Sequence, residues 1–373
     1  MRLVLFIFFL LPVFFVSAQV AEVESLIHNY VESLPVHAEV SIAYVENGKV
    51  YRYGYQVGEH GPEAVNNFDR LYEIGSITKT FTTSLLMHEV HLGKMQLEDP
   101  IQEYLPVQMK GDSFDGHTIT LLDLATHTSG LSTSPDNAGW PYIRAKIFTP
   151  QNPNRNFKAK HYYKYLEDFE LDYIPGQVWE YNNFAMALLG DLIARKNNST
   201  WEVLVKKWLF DPLGMSNSYF RIEKAQEDIA VQGYNEKGKK TARWEMDFIA
   251  NAGGINSSLN DMLRWMDANL HVVSEDLAFI HDGHDELGQK ILFNDGYWFM
   301  GIGWWHRLKD DPYQTIYHSG GTGGFTTIFG FDKERQKGVI ILTNFAYDHP
   351  QMRTADDLNK TYEMGRTIMT LED

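Results

Sequence analysis

One stretch decides the fold of this chain: Glu73-Ile74-Gly75-Ser76-Ile77-Thr78-Lys79-Thr80-Phe81. Its apolar first residues predict the end of a strand. The remainder predicts the start of a helix that runs from residue 76 to about residue 92 and ends at Gly93, a residue suited to a helix C-terminus. Because Ser76 and Lys79 are three residues apart, a helix presents both side chains on one face.

This pair of residues suggests nucleophilic chemistry. The first turn of a helix has unpaired backbone N–H groups, which favour a negative charge that develops at Ser76. Lys79 follows one turn later among Ile77, Phe81 and Leu85, where loss of solvation shifts an ammonium toward its neutral, basic form. A neutral amine can take the proton of a serine. Ser-x-x-Lys alone is a weak signal, since most such pairs lie on solvated helix surfaces.

The first 18 residues predict export. Arg2 is followed by an apolar run at 3–16 and by the small residues Ser17 and Ala18. This pattern is typical of a signal peptide, and we expect cleavage after Ala18. The run is short for a membrane span and contains Pro12, so we expect no membrane anchor after cleavage. The mature protein is predicted to be periplasmic or secreted.

Composition excludes several classes of function. The chain has 373 residues, of which 44% are hydrophobic, and can therefore bury a large core. It contains no cysteine, which excludes disulfides, a thiol nucleophile and a cysteine metal site. Its formal net charge of −16 argues against nucleic acid as a partner. The expected partner is a small-molecule or peptide substrate, and the oligomeric state is not predicted.

Hydrophobic periodicity predicts strands at both ends of the chain and helices between them. Asn47-Gly48 joins the first two strands as a β-hairpin. The predicted strands are 38–45, 49–55, 71–74, 298–305, 314–318, 325–331 and 339–344. The predicted helices are 20–34, 76–92, 119–126, 159–170, 184–195, 201–210 and 355–371. A stretch rich in proline and asparagine, 136–157, predicts a long surface loop.

This order of elements predicts an α+β fold. We expect one antiparallel sheet built from both chain ends, flanked by helices, with an inserted mainly helical subdomain. A single domain would cover 19–373, in which 19–93 and 244–373 form the α/β part and 94–243 the mainly helical part. A cleft between the two parts would hold the site.

Two further motifs have ordinary structural explanations when taken singly. Tyr181-Asn182-Asn183 precedes an apolar helix, and asparagine is a favoured helix N-cap. His318-Ser319-Gly320-Gly321 lies between two strands, where glycines are common in hairpin turns. Together with Ser76-Ile77-Thr78-Lys79, however, these motifs resemble the three motifs of the penicillin-recognising serine hydrolases. The version is that of class C β-lactamases and related D-Ala-D-Ala carboxypeptidases, D-aminopeptidases and esterases. Other similar stretches are 124–131, 211–215 and 253–258, and the resemblance covers about 25–370.

The resemblance implies a β-lactamase/transpeptidase-like fold and a role for each motif residue. Ser76 would be the acylated nucleophile, and Lys79 and Tyr181 would share the base role. Asn183 would bind the substrate amide. The oxyanion hole would be formed by the backbone N–H groups of Ser76 and Gly321, and Gly320 and Gly321 would let their strand approach the substrate closely. No metal or cofactor is implied.

His318 departs from the lysine that typical class C β-lactamases have at this position. The departure favours peptidase or esterase activity over efficient antibiotic hydrolysis. Two roles remain open: a protonated His318 would attract a substrate carboxylate, whereas a neutral one would only donate a hydrogen bond. Arg353 has two interpretations as well, a partner for a substrate carboxylate or a solvated loop residue.

Competing interpretations of the chain are weaker. The stretch His281-Asp282-Gly283-His284-Asp285-Glu286 contains metal-binding residue types, but such residues in a polar loop are more often solvated. No serine lies in a Gly-x-Ser-x-Gly elbow, which disfavours an ordinary α/β-hydrolase.

The predicted function is therefore an exported serine hydrolase that cleaves an amide or ester, either a D-amino-acid peptide or a small ester, through a Ser76 acyl-enzyme. The alternatives are a true class C-like β-lactamase and a non-catalytic protein that binds or senses cell-wall peptides. Ser76, Lys79 and Tyr181 together argue against the second, because a pure binder has no evident need for all three.

Overall fold

The computed structural model describes residues 18–133, 135, 152, 155, 157–281, 290–293, 296–307 and 312–372. The predicted signal peptide before Ala18, most of the predicted loop 136–157 and the part of the candidate metal stretch after His281 lie outside the described residues. Within the described part, no helix has the length and apolar character needed to cross a membrane.

The main sheet has nine strands among the described residues, and every neighbouring pair is antiparallel. The spatial order is β3-β2-β1-β14-β13-β12-β11-β10-β9. The strands of this sheet are β1 (Glu39–Glu46), β2 (Lys49–Gly58), β3 (Gly61–Ala64), β9 (Lys290–Phe293), β10 (Gly296–Met300), β11 (Trp305–Arg307), β12 (Ile316–Gly321), β13 (Thr326–Asp332) and β14 (Lys337–Thr343). Short strands form two small sheets: β4 (Tyr72–Glu73), β7 (Ser218–Tyr219) and β8 (Asn256–Ser257), and β5 (Ser113–Phe114) with β6 (His117–Thr118).

Helices cover both faces of the main sheet, and most of them lie between β3 and β9 in the sequence. The α-helices are α1 (Ala18–Glu32), α2 (Thr78–His91), α3 (Leu121–Ala125), α4 (Ala159–Asp168), α5 (Asn183–Lys196), α6 (Trp201–Val205), α7 (Asp211–Leu213), α8 (Ala250–Gly253), α9 (Leu259–Leu270), α10 (Glu275–His281) and α11 (Lys360–Thr370). A π-helical segment, Lys206–Phe210, joins α6 to α7, and 3-10 turns lie at Gly75–Ile77, Ile101–Glu103, Lys224–Ile229 and Pro350–Met352.

The sheet separates two hydrophobic cores. Side chains alternate between the two faces of a strand, so Val40 and Ile42 of β1 join the core beneath α1 and α11, whereas Ala43 and Val45 join the core that contains α2, α5 and α9. All residues of β1, β13 and β14 are buried, because helices cover both faces of these central strands. The sheet therefore holds both chain ends in one rigid layer.

The antiparallel sheet with flanking helices confirms the predicted fold class. The first and last strands of the sequence lie side by side, with Val40 opposite Thr343 and Glu46 opposite Lys337. Helices α3 to α7 lie between the two groups of main-sheet strands in the sequence, as the prediction of an inserted helical region requires.

The structure corrects several predicted elements. The single strand predicted at 298–305 is wrong: β10 and β11 form a hairpin, in which Gly301 N donates to Trp304 O and Gly303 adopts a φ of +73°. The last helix begins at Lys360 rather than 355, because Asn359 caps it by accepting from Thr361 N and Tyr362 N. The sequence analysis also missed α9. This helix lies between β8 and β9 in the sequence and packs on the main sheet.

Candidate active site

Ser76 and Lys79 meet at the start of α2. Ser76 lies in the 3-10 turn Gly75–Ile77 that leads into the helix, and its Oγ is 2.9 Å from Lys79 Nζ. Lys79 is fully buried and also donates to the carbonyl oxygen of Ala252, at 2.7 Å. Burial lowers the pKa of the Lys79 ammonium well below its ordinary value. The amine is therefore placed to be neutral and basic beside the serine hydroxyl.

The polar first half of α2 is buried, which explains how a threonine-rich segment forms a helix. Thr80, Thr82, Thr83 and Ser84 all direct their hydroxyls to backbone carbonyls. Thr82 bonds outside the helix, to Asn251 O, whereas the others bond to the preceding turn. These bonds satisfy hydroxyls that would otherwise be costly to bury.

Tyr181 brings a third polar group to Ser76. Desolvation raises the pKa of the Tyr181 hydroxyl above its ordinary value, and a hydrogen bond with Ser76 offsets part of the rise. Lys79 Nζ lies 4.9 Å from the centre of the Tyr181 ring. His127 packs on the same ring at a centroid distance of 4.6 Å, and its Nδ1 accepts from Asn182 N. His127 thus supports the segment that carries Tyr181.

Gly320 and Gly321 pack against the turn that carries Ser76. A Cβ atom on Gly320 would lie 2.0 Å from Ile74 O, and a Cβ on Gly75, whose φ is +54°, would lie 2.7 Å from Gly321 N. Only glycine permits this contact, because any side chain would collide with backbone. Thr327 on β13 secures the same junction by donating to Ile74 O at 3.0 Å. The glycines after His318 therefore allow β12 to approach the nucleophile's own turn.

His318 lies at the cleft as a buried, neutral histidine. It is 1% exposed, and burial, reinforced by Lys79, lowers its pKa to about 3. Its Nδ1 is 2.7 Å from Ser319 O, so Nδ1 carries the proton and Nε2 presents a lone pair. Of the two roles left open by the sequence, the cationic one is not supported by this environment.

The two asparagines of the second motif behave differently. Asn182 is buried, caps α5 by accepting from Ala185 N at 2.9 Å, and donates to Leu131 O at 2.6 Å. The helix-cap interpretation is therefore right for Asn182. Asn183 is the first residue of α5 and its side chain is exposed. The predicted contact between Asn183 and a substrate amide stays a prediction.

Arg353 does not line the cleft beside Ser76. Its guanidinium donates to Asp357 O at 2.7 Å, pairs with the Asp357 carboxylate at 3.2 Å and covers the ring of Tyr347, with 4.8 Å to the ring centre. Tyr347 itself lines the cleft, so Arg353 lies one layer behind its surface. The structure thus pairs Arg353 within its own loop.

The cleft has a volume of about 430 Å³ and two unlike walls. The inner wall consists of Ser76, Tyr181 and His318. The outer wall consists of side chains that the sequence analysis missed: Trp179, Trp305, Tyr317, Tyr347, Tyr362 and Arg366. They lie far apart in the sequence and follow no motif; the one available signal was the aromatic content of the strands after residue 296.

A larger groove of about 660 Å³ lies between the β1–β2 turn and α9. Gly48, Asn260 and Arg264 are among its lining residues, and no residue of the three motifs lines it. His281, at the start of the candidate metal stretch, packs in the core with Nε2 2.9 Å from Asn269 Oδ1. Neither place adds a group to the Ser76 site.

Known proteins resemble this chain in sequence and in fold. The family model described as "Beta-lactamase" matches residues 27–362. A "Beta-lactamase" of Providencia stuartii is 28% identical over 359 residues, covering 88% of this chain and 86% of the relative.

Two solved structures resemble the fold at low sequence identity. The first, "A class C beta-lactamase", has a TM-score of 0.75 and 22% identity, and the match covers 96% of this chain and 97% of the other. The second is a "Beta-Lactamase/D-Alanine Carboxypeptidase from Pseudomonas syringae", with a TM-score of 0.73, 21% identity and coverage of 96% and 100%. The resemblance that the three motifs suggested is confirmed: this chain belongs to the beta-lactamase family of serine hydrolases.

Proposed function

We propose that the protein hydrolyses an amide or ester, either a small ester or a D-amino-acid peptide, through an acyl-enzyme on Ser76. One observation carries this proposal: Lys79 Nζ lies 2.9 Å from Ser76 Oγ. Lys79 is buried, and burial lowers the pKa of its ammonium group. A nucleophile and its base must be within hydrogen-bond reach, and this pair is. Residues 1–18 support action outside the cytoplasm.

Acylation begins with proton transfer from Ser76. One N–H of the neutral Lys79 amine donates to Ala252 O, which leaves the nitrogen lone pair for the serine proton. As Oγ attacks the carbonyl carbon, the backbone N–H groups of Ser76 and Gly321 stabilise the oxyanion. The proton then passes through Tyr181 to the leaving group, whose bond to the acyl carbon breaks. A water molecule attacks the acyl-enzyme in the same way and frees Ser76.

The protonation state of Tyr181 indicates which role each of the two candidate bases, Lys79 and Tyr181, has. Desolvation raises the pKa of Tyr181, so its hydroxyl keeps its proton in the resting enzyme. Lys79, whose pKa shifts the opposite way, is then the group that receives the serine proton. Tyr181 serves as the donor that protonates the leaving group and is reprotonated from Lys79.

A true β-lactamase is the second candidate, because the curated relatives in the comparison bear that name. Neutral His318 favours the first candidate, since a group that carries no charge at neutral pH offers no ionic attraction to the carboxylate of an antibiotic. The two candidates share Ser76 acylation and differ in which acyl donors turn over rapidly.

Intact-mass analysis tests the proposal. The protein is incubated with a fluorophosphonate, a penicillin, small esters and D-alanyl-D-alanine peptides, with Ser76→Ala as the matched control. We expect one adduct, located on Ser76 by peptide mapping, and faster turnover of esters or peptides than of a chromogenic cephalosporin. Cephalosporin turnover that exceeds both would favour the β-lactamase. Absence of any adduct would favour the non-catalytic peptide-binding alternative.

A further inference from the structure

The main chain before Tyr181 bonds to a buried stretch that follows α3. Glu180 N donates to His127 O, and Gly176 N donates to Thr128 O, both at 2.9 Å. The two acceptor residues are almost fully buried, with His127 1% and Thr128 2% exposed. The position of Tyr181 therefore depends on this stretch.

His127 contacts three consecutive residues around Tyr181. Its carbonyl oxygen accepts from Glu180 N, its ring packs on the ring of Tyr181 with 4.6 Å between centres, and its Nδ1 accepts from Asn182 N at 3.2 Å. These contacts lie before, at and after the tyrosine. His127 thus restrains both the main chain and the ring of Tyr181.

The backbone of His127 has an uncommon conformation. Its φ is +62°, in the left-handed region that residues other than glycine seldom adopt. Among the residues that the structure describes, His127 is the only buried non-glycine residue with a φ in this region. Such a conformation persists only where the surrounding structure holds it, and it is frequent at functional sites. The strain therefore points to a role for the His127 side chain beyond filling the core.

The bond to Asn182 requires a neutral His127. Because Nδ1 accepts a hydrogen bond, the ring carries its proton on Nε2. Burial, reinforced by Lys79 and His318, lowers the pKa of His127 well below its ordinary value. A protonated ring would direct a second N–H toward the N–H of Asn182 and lose the bond. At neutral pH the ring therefore keeps the acceptor that holds Asn182.

Tyr181 gives its proton to the leaving group in the proposed function, as the bond to the acyl carbon breaks. A general acid must lie within hydrogen-bond reach of the atom that it protonates, and a shift of about 1 Å can cost about 100-fold in rate. An alkoxide or an amine is a poor leaving group without a proton, whereas a nitrophenolate leaves with less help. A displaced Tyr181 would therefore slow the release of poor leaving groups most.

We propose that His127 is a positioning residue: it holds Tyr181 as the proton donor and thereby enables the cleavage of esters and amides whose leaving groups are poor. This inference rests on the proposed function, because it requires a Ser76 acyl-enzyme and a leaving group that is protonated by Tyr181. His127 itself exchanges no proton with the substrate. The expected substrates are alkyl esters or peptides as well as activated esters.

Two esters with the same phenylacetylglycyl acyl group test the inference. One releases methanol and the other releases nitrophenol. The measurement is the ratio of kcat/KM for the methyl ester to that for the nitrophenyl ester, in which a loss of folded protein cancels. We expect His127→Phe, which keeps a ring but removes the acceptor for Asn182 N, to lower this ratio by about tenfold.

His127→Asn guards against a variant that fails to fold. Asparagine tolerates a left-handed backbone better than phenylalanine does, and its Oδ1 can accept from Asn182 N. It lacks the ring that packs on Tyr181. The ratio should therefore fall, but less than in His127→Phe.

His349→Phe is the matched control. Nδ1 of His349 also accepts from a backbone N–H, that of Gln351 at 3.3 Å, and its ring packs on Phe345 with 4.9 Å between centres. His349 is not among the described residues that line the cleft. The substitution therefore breaks the same kinds of contact away from Tyr181, and the ratio should stay native.

A second background shows whether His127 acts through Tyr181. In Tyr181→Phe the leaving group lacks this proton donor, so the addition of His127→Phe should leave the ratio of that variant unchanged. The inference is overturned if His127→Phe and His127→Asn both keep the native ratio, or if His349→Phe lowers it as much. A further fall of the ratio in the Tyr181→Phe background would overturn it as well. Failure of the proposed function looks different: Ser76→Ala would then hydrolyse both esters as fast as the native protein.

Discussion

The two walls of the cleft differ in how their polar groups are held. Behind the inner wall, Lys79 is buried and bonds to Ser76 Oγ and to Ala252 O. On the outer wall, Tyr347 is 37% exposed and Arg366 pairs with a solvated glutamate. Burial lowers the pKa of Lys79 and suits it to proton transfer, whereas side chains nearer to solvent are suited to contacting the substrate.

The largest effect should come from the nucleophile on the inner wall. Ser76→Ala should lower kcat/KM for a neutral ester by about 10⁴-fold or more, because no other group can form the acyl-enzyme. Ser319→Ala, which changes a serine that also lines the cleft, is the matched control and should cost less than about tenfold. Equal losses in the two variants, measured by steady-state kinetics, would mean that Ser76 is not the nucleophile.

The proton-transfer groups come next in size. Lys79→Ala and Tyr181→Phe should each slow acylation by about 100- to 10,000-fold, the usual contribution of general acid–base catalysis. Because the proton moves through both groups, the double variant should be about as slow as the slower single variant. Stopped-flow acylation by an activated ester gives the three rates. A double variant as slow as the product of the two losses would show that the groups act independently.

The contact between β12 and the Ser76 turn should affect stability. Gly320→Ala places a Cβ where Ile74 O lies, and overpacking of this kind should lower the free energy of unfolding by about 3 kcal/mol. Gly58→Ala on β2 is the matched control, since the nearest atom to its added Cβ is 3.8 Å away, and should stay within about 0.5 kcal/mol. Urea unfolding measures both. A Gly320→Ala protein as stable as Gly58→Ala would mean that β12 moves away from the nucleophile at little cost.

The smallest effect concerns the charge state of His318 and has a definite sign. Its pKa in the folded protein is about 3, below the value near 6.5 expected for the unfolded chain. The unfolded state therefore binds the proton first, so this contribution to stability is complete above pH 6.5 and is lost as the pH falls from 6.5 toward 3. Between pH 7 and pH 5 the loss from this group should be about 2 kcal/mol.

Thermal unfolding of His318→Gln tests this sign. The variant should lose less stability than the native protein between pH 7 and pH 5. If His318→Gln leaves the pH dependence of stability unchanged, His318 is protonated in the folded state, and the cationic role is the correct one.

The sequence predicted the inner wall better than the outer one, for a physical reason. Ser76, Lys79 and Tyr181 lie in local patterns: a one-turn spacing and a turn before an apolar helix. Arg366 and Tyr317 reach the cleft only because a helix and a strand from distant segments pack together, and no short pattern records that contact. The predicted strand 298–305 also ran through Gly301 and Gly303, where the chain turns in the structure. Hydrophobic periodicity does not reveal that Gly303 has a φ of +73°.

His318 shows a different limit of sequence analysis. The sequence shows that the residue is a histidine, but its protonation state depends on burial, on the charge of Lys79 and on the bond to Ser319 O, which only the fold creates. The same holds for Asn182 and Asn183, adjacent residues of one type, of which the fold buries one as a helix cap and exposes the other.

The pairing of β1 with β14 has a consequence for how the protein reaches its native state. Val40 and Thr343 are partners across about 300 intervening residues, and the Ser76 turn packs against Gly320 and Gly321, which are translated long after it. Long-range pairing of this kind is slow, since the ends of a long loop must meet before their contacts form. Until β12 has been synthesised, the turn that carries Ser76 lacks the strand against which it packs. A chain that is truncated before β12 should therefore lack a reactive Ser76, and a chain that crosses a membrane unfolded would acquire its activity only once its C-terminal strands have arrived.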